Sequence, residues 1–160
     1  MTGDDLDAVT EALLAASRAF VAVAARSVTD LLADITMPQF RVLVVLATSG
    51  PQSLRSLAEA LDASPSTASR LCERLVRKKL IRRRSSRSDR REVRLSATED
   101  GLALYQEVID RRRETISAIV LDIPPGKRAQ LVKALAVFTD AAGAAPHQAW
   151  SVGWSPLEGG

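Results

Sequence analysis

Ser64, Ser66, Thr67 and Ser69 place four hydroxyls within six residues, and Arg70 and Arg74 follow directly. From Arg74 to Arg94, eleven of the chain's 22 Lys and Arg residues then meet only two acids, Asp89 and Glu92. Hydroxyls donate and accept hydrogen bonds, and a guanidinium offers a planar fork that matches the oxygens of a phosphate or the edge of a guanine. The chemistry available here is recognition of a polyanion. Eleven cations against two acids leave that segment at +9, so within a total of +3 the remainder of the chain sums to −6. Partner choice rests on where the charge sits.

Bond-making chemistry has no comparable signal. The chain holds one His, His147, and one Cys, Cys72, which cannot assemble a catalytic triad, a metal cluster or an internal disulfide. No catalytic residue, metal or cofactor is expected. Ser66, Thr67 and Ser69 read as capping and contacting hydroxyls, since no base lies near them in sequence. Aromatics make up 4% of the residues, too few for the base-stacking platforms of single-strand binders.

At 160 residues and 46% apolar content the chain suits one soluble domain with a real core. Acids rather than cations crowd Met1 to Asp7, so no signal peptide is expected. The most apolar short run, Phe20 to Ala25, is bracketed by Arg18 and Arg26, so no membrane span is expected either and the reading is cytoplasmic.

The elements that must position the basic and hydroxyl residues are mostly helices. Leu6, Val9, Leu13, Phe20, Ala24, Val28, Leu31, Leu32 and Ile35 recur at steps of three and four, which predicts one long amphipathic helix from Asp5 to about Asp34. A second helix from Pro38 to about Ser49 is apolar almost all round and belongs in a core, ending at Gly50-Pro51. Ser53 caps a short helix, Leu54 to Leu61. Ser64, with Pro65 behind it, opens another that runs to about Lys78. On that helix Ala68, Leu71, Cys72 and Leu75 share one side, while Ser66, Arg70, Glu73 and Arg77 point the other way.

Leu80–Arg84 and Glu92–Ser96 are strand-length pieces around a polar tip from Ser85 to Arg91. Thr98 caps a helix from about Glu99 to Leu121, Pro124-Pro125-Gly126 breaks it, and Lys127 to Ala142 forms the last helix. The tail after Gly143 reads as loose. The expected fold is all-α with a small two-stranded β-wing: a winged helix-turn-helix joined to a helical dimerisation region. Its parts are an N-terminal dimerisation helix over 1–36, a DNA-binding region over 37–98, C-terminal dimerisation helices over 99–142 and a tail over 143–160. A helix fits the major groove of duplex DNA and a wing tip the minor groove beside it.

Ile35-Thr36-Met37-Pro38-Gln39-Phe40-Arg41-Val42-Leu43, the pair Leu57-Ala58-Glu59-Ala60-Leu61 to Ser69-Arg70-Leu71, Asp89-Arg90-Arg91 and Thr98-Glu99-Asp100-Gly101 stand in this order. In that order they resemble the MarR family of bacterial regulators, over about residues 6 to 142. The resemblance implies a homodimer on a pseudo-palindromic operator in double-stranded DNA, with the first, fifth and sixth helices interlocked. It also implies that Asp89 fixes the wing loop and that Arg91 enters the minor groove. Members commonly repress efflux, detoxification or stress genes and are released by small aromatic or anionic compounds, for which Phe40, Arg41 and Tyr105 are the places to look. Two residues depart from the pattern: Lys79 stands where the family has Gly, which predicts a differently shaped corner, and Ala97 replaces a larger apolar residue.

The DNA-contacting set expected from all of this is Ser64, Ser66, Thr67, Ser69, Arg70, Arg74, Arg87, Asp89, Arg90 and Arg91. Rival readings are a nonspecific architectural DNA-binding protein, which needs the cations but not the sequence, and a protein-interaction or enzyme module whose basic patch docks an acidic partner. Cys72 reads as an inert buried thiol, with a redox sensor as the alternative. Trp150 and Trp154 either dock on the dimer or stand in solvent.

Overall fold

Phe40, Val42, Leu43, Val44, Val45 and Leu46 leave one short helix with almost no polar face, and the chain folds around it. The computed structural model describes residues 3–29, 34–85 and 93–143. In chain order these form α1 (Gly3–Thr29), α2 (Met37–Ser49), β1 (Gln52–Ser53), α3 (Leu54–Ala60), α4 (Pro65–Arg77), β2 (Ile81–Ser85), β3 (Val93–Ala97), α5 (Glu99–Leu121) and α6 (Pro125–Ala141). α2 packs against α4, α5, α3 and β3, which explains why all six of its apolar residues named above are buried. Thr36 precedes it, and the Thr36 amide donates to the Gln39 side chain at 3.0 Å, closing the first turn.

The sheet has three strands, in the order β1-β3-β2, where two were expected. Gln52 and Ser53 pair antiparallel with Leu95 and Arg94, and a two-residue strand is too short to display alternation in sequence. β2 and β3 pair from Ile81 opposite Ala97 to Ser85 opposite Val93. Ile81 and Leu95 face the core, next to Leu57, Leu75 and Cys72.

α4 and β2 meet at a corner stitched to the start of α5. The Lys79 amide donates to Val76 O at 2.9 Å, the Leu80 amide to Leu75 O at 3.0 Å, and the Thr98 amide to Leu80 O at 3.0 Å. The Thr98 hydroxyl donates to Lys79 O at 2.6 Å and accepts from the Gly101 amide at 3.1 Å. One side chain thus caps α5 and clamps the end of α4. Lys79 takes φ 60, the left-handed backbone. The hydrogen bonds on either side hold Lys79 in a conformation that glycine adopts without steric cost. Lys79→Gly should therefore stabilise the fold by about 1 kcal/mol, after allowing for the extra freedom Gly gains when unfolded. A urea midpoint that falls would refute this.

α1 packs along α5, burying Val23, Ser27 and Val28, but leaves Leu6, Val9, Leu14, Phe20 and Val21 about half exposed or more. Over Asp5–Val28, α1 is long and apolar enough to cross a membrane by length and composition, which corrects the expectation that no stretch qualifies. Its apolarity is spread through Ala and Val rather than concentrated in a bulky run. α6 has no buried residue at all, although Leu131, Val132, Leu135, Val137 and Phe138 lie on it. Arg128 fastens its base by donating to Ile123 O at 3.0 Å and Leu121 O at 3.2 Å.

Candidate nucleic-acid interface

Ser64 starts α4 as its sequence position demands. Its hydroxyl accepts from the Thr67 amide at 3.2 Å and lies 3.0 Å from the Ser66 hydroxyl and 2.9 Å from that of Thr67. Three of the expected hydroxyls therefore form one cluster at a helix start, where the positive end of the helix dipole attracts phosphate. Ala68, Cys72 and Leu75 anchor the inner face of α4, and Leu71 packs beside them. That anchorage leaves Ser66, Arg70, Glu73, Arg74 and Arg77 exposed on the outer face.

The wing arms lie beside this face. Arg82, Arg83 and Arg84 are exposed on β2, as is Arg94 on β3. Arg83 reaches α4, where its guanidinium lies 3.9 Å from the Glu73 carboxylate, and the Ser69 hydroxyl donates to the same carboxylate oxygen at 3.0 Å. On the other face of the ribbon Arg82 donates to the Ser96 hydroxyl at 3.2 Å, and Arg84 stands directly opposite Arg94. Between α3, α4 and the wing lies a cleft of about 370 Å³ lined by Leu54, Ser69, Arg83, Arg84, Val93 and Leu95.

Of the expected contact residues, Ser64, Ser66, Thr67, Ser69, Arg70 and Arg74 come together on α4. Arg87, Asp89, Arg90 and Arg91 lie outside the described residues. Arg83, Arg84 and Arg94 were not singled out from sequence, although the +9 segment contains them; only the strand register shows which cations share a face. Phe40 is a core residue, 2% exposed. Arg41 and Tyr105 are half-buried, and the cleft beside the wing is lined by other residues. Two turns along α5 from Tyr105, burial lowers the Arg112 guanidinium to a pKa of about 10, an effect Tyr105 partly offsets.

Cys72 is fully buried, and burial raises its pKa from 9.0 to about 11, with Arg83 opposing and Glu73 adding to the shift. The thiolate is the reactive form, so this supports the inert reading over the redox sensor. Because the folded thiol holds its proton more tightly than the unfolded one, its stabilising contribution is complete below pH 9 and is lost as pH rises towards 11. Native Cys72 should resist iodoacetamide at pH 7.5 and become labelled once urea unfolds the chain. Rapid native labelling, followed by mass spectrometry, would contradict this. Among the described residues no group of three His, Cys, Asp or Glu could hold a metal ion.

The profile of the MarR family matches residues 35–93, which run from the start of the core helix through the wing. A crystal structure of RV1404 from Mycobacterium tuberculosis is 41% identical to the chain, covers 88% of it and 95% of its own length, and superposes with a TM-score of 0.75. The chain belongs to the MarR family. It is accordingly a DNA-binding transcriptional regulator and not an enzyme. The transcriptional repressor MdtR of Bacillus subtilis is 33% identical over 79 residues, which span 49% of this MarR-family chain and 51% of MdtR. BpsR of Bordetella bronchiseptica, whose DNA binding is regulated by 6-hydroxynicotinic acid, is 28% identical, with 82% and 93% coverage and a TM-score of 0.52.

Proposed function

We propose that the chain is a homodimeric, sequence-specific repressor that seats α4 in the major groove and the wing in the adjacent minor groove of a pseudo-palindromic operator. The observation that carries this reading is α4 itself: its inner face is locked into the core, while its outer face offers hydroxyls at the helix start and arginines along its length, beside the basic arms of the wing. The first turns of such a helix come nearest the base edges. Ser64, Ser66, Thr67, Ser69, Arg70 and Arg74 are then its major-groove and phosphate contacts, and Arg87, Arg90 and Arg91, with Asp89 bracing the loop, serve the minor groove.

Dimerisation is supported by α6, which has no buried residue among the described ones, and by the exposed apolar side chains Leu6, Val9, Leu14, Phe20 and Val21 of α1. A second copy would bury them and carry two α4 helices onto half-sites about 34 Å apart. In this reading residues 1–36 and 99–142 form the dimerisation region, residues 37–98 bind DNA, and the protein works in the cytoplasm. Repression is supported by the likeness to MdtR. Release by a small aromatic or anionic effector is supported by the likeness to BpsR, with Phe40, Arg41 and Tyr105 as the residues to probe.

The test is selection of bound sequences from a random duplex pool, paired with light scattering of the free protein. An enriched inverted repeat and a dimer mass are expected. Binding without sequence enrichment would favour the architectural reading, and a monomer at micromolar concentration would remove the two-half-site geometry.

A further inference from the structure

From Ser64 to Arg84 the chain has eight Lys and Arg residues and a single acid, Glu73, and that acid sits on the outer face of α4. A carboxylate facing a polyanion repels it, so its presence needs a reason other than affinity. Fold stability is not that reason, since its partner Arg83 and Glu73 itself are both about half exposed, and such pairs contribute little. What Glu73 does is hold two other groups. Its carboxylate accepts the one hydrogen bond that the Ser69 hydroxyl can donate, and it draws Arg83 from the wing towards α4.

We infer that Glu73 is a specificity-determining positioning residue: it makes Ser69 an acceptor-only reader of base amino groups and keeps Arg83 from phosphates, weakening binding to unrelated DNA. This rests on the placement of α4 in the major groove proposed above. A hydroxyl whose proton is committed can no longer donate to a phosphate, which only accepts. It can still accept from an adenine or cytosine amino group at the groove edge. Arg83, tethered across the helix, adds no phosphate contact on random sequence, so the nonspecific background stays low.

Two substitutions separate the two effects. Glu73→Gln removes the charge that holds Arg83 but keeps an oxygen able to accept from Ser69, whereas Glu73→Ala removes both. On a random-sequence duplex at 0.15 M salt, Glu73→Gln should raise affinity about fivefold and steepen the dependence of log K on log salt by about 0.9, the signature of one more neutralised phosphate. Its base preference should persist. Glu73→Ala should show the same gain and also lose about tenfold of discrimination at one base pair of the selected site. In an Arg83→Gln background, the gain from Glu73→Gln should shrink to about twofold or less, what loss of its own repulsion supplies, with the salt slope steepened by well under about 0.9, which ties the remainder to the tether.

An unchanged salt slope in Glu73→Gln overturns the inference, as does a gain that survives undiminished with Arg83→Gln. Arg70→Ala on the same duplexes tells the two failures apart. If Arg70→Ala weakens binding while Glu73→Gln is silent, only the role of Glu73 falls; if both are silent, the placement of α4 on DNA falls with it.

Discussion

Gly101→Ala lowers the melting temperature by roughly 6 °C, even though helix propensity alone argues the other way. Replacing Gly by Ala inside a helix ordinarily stabilises it by about 1 kcal/mol. Gly101, however, is in the first turn of α5, where a Cβ would land on the carbonyl of Leu80 and come within 3.2 Å of a Leu43 methyl. Leu80 O accepts from Thr98, at the corner that ends α4 and begins the wing, so it has no freedom to retreat. Overpacking against fixed backbone costs about 3 kcal/mol. That exceeds the propensity gain and decides the sign. Scanning calorimetry checks it, and a melting temperature unchanged or raised would mean that the joint between α4, the wing and α5 yields. Because that joint also aims α4, the variant should lose operator binding at temperatures where it remains folded.

Arg70→Ala lowers affinity for the selected operator by about 10- to 100-fold and relaxes base preference at one position of each half-site. Arg70 is exposed on the outer face of α4, one turn beyond the hydroxyl cluster, where a guanidinium can bridge two acceptors of guanine. Ala is at least as good a helix former, and the side chain supports no core contact, so stability should hold within about 0.5 kcal/mol. Arg70→Lys refines the test. It keeps the charge and therefore the salt slope, but loses the fork, so its discrimination should fall almost as far as that of Ala. Fluorescence anisotropy on operator and scrambled duplexes measures both quantities. Equal loss on the two duplexes would reduce Arg70 to a phosphate contact.

Local chemistry was legible in the residues, because its causes lie within a few positions of its effects. Ser53, Ser64 and Thr98 are N-caps whose hydroxyls accept from Ser56, Thr67 and Gly101 amides, and α5 runs from Glu99 to Leu121 as its periodicity predicts. The inner and outer faces of α4 also separate as the helical period requires. Pro125 was read as part of a break, yet it opens α6, for a first-turn Pro has no amide that the helix would need. The burial of Phe40, by contrast, depends on elements far from it in sequence, which pack around α2.

By itself, then, the order of residues determined a winged helix-turn-helix, the side of α4 that faces outward and the concentration of positive charge beside it. Periodicity, capping and net charge are properties of short segments, and they do not wait for the chain to fold. The tertiary structure alone decided that Lys79 takes a left-handed backbone, that Gln52 and Ser53 add a third strand, and that Arg83 crosses to Glu73. Each of these joins groups that lie on different elements, and only packing around α2 brings those elements within hydrogen-bonding and ionic reach.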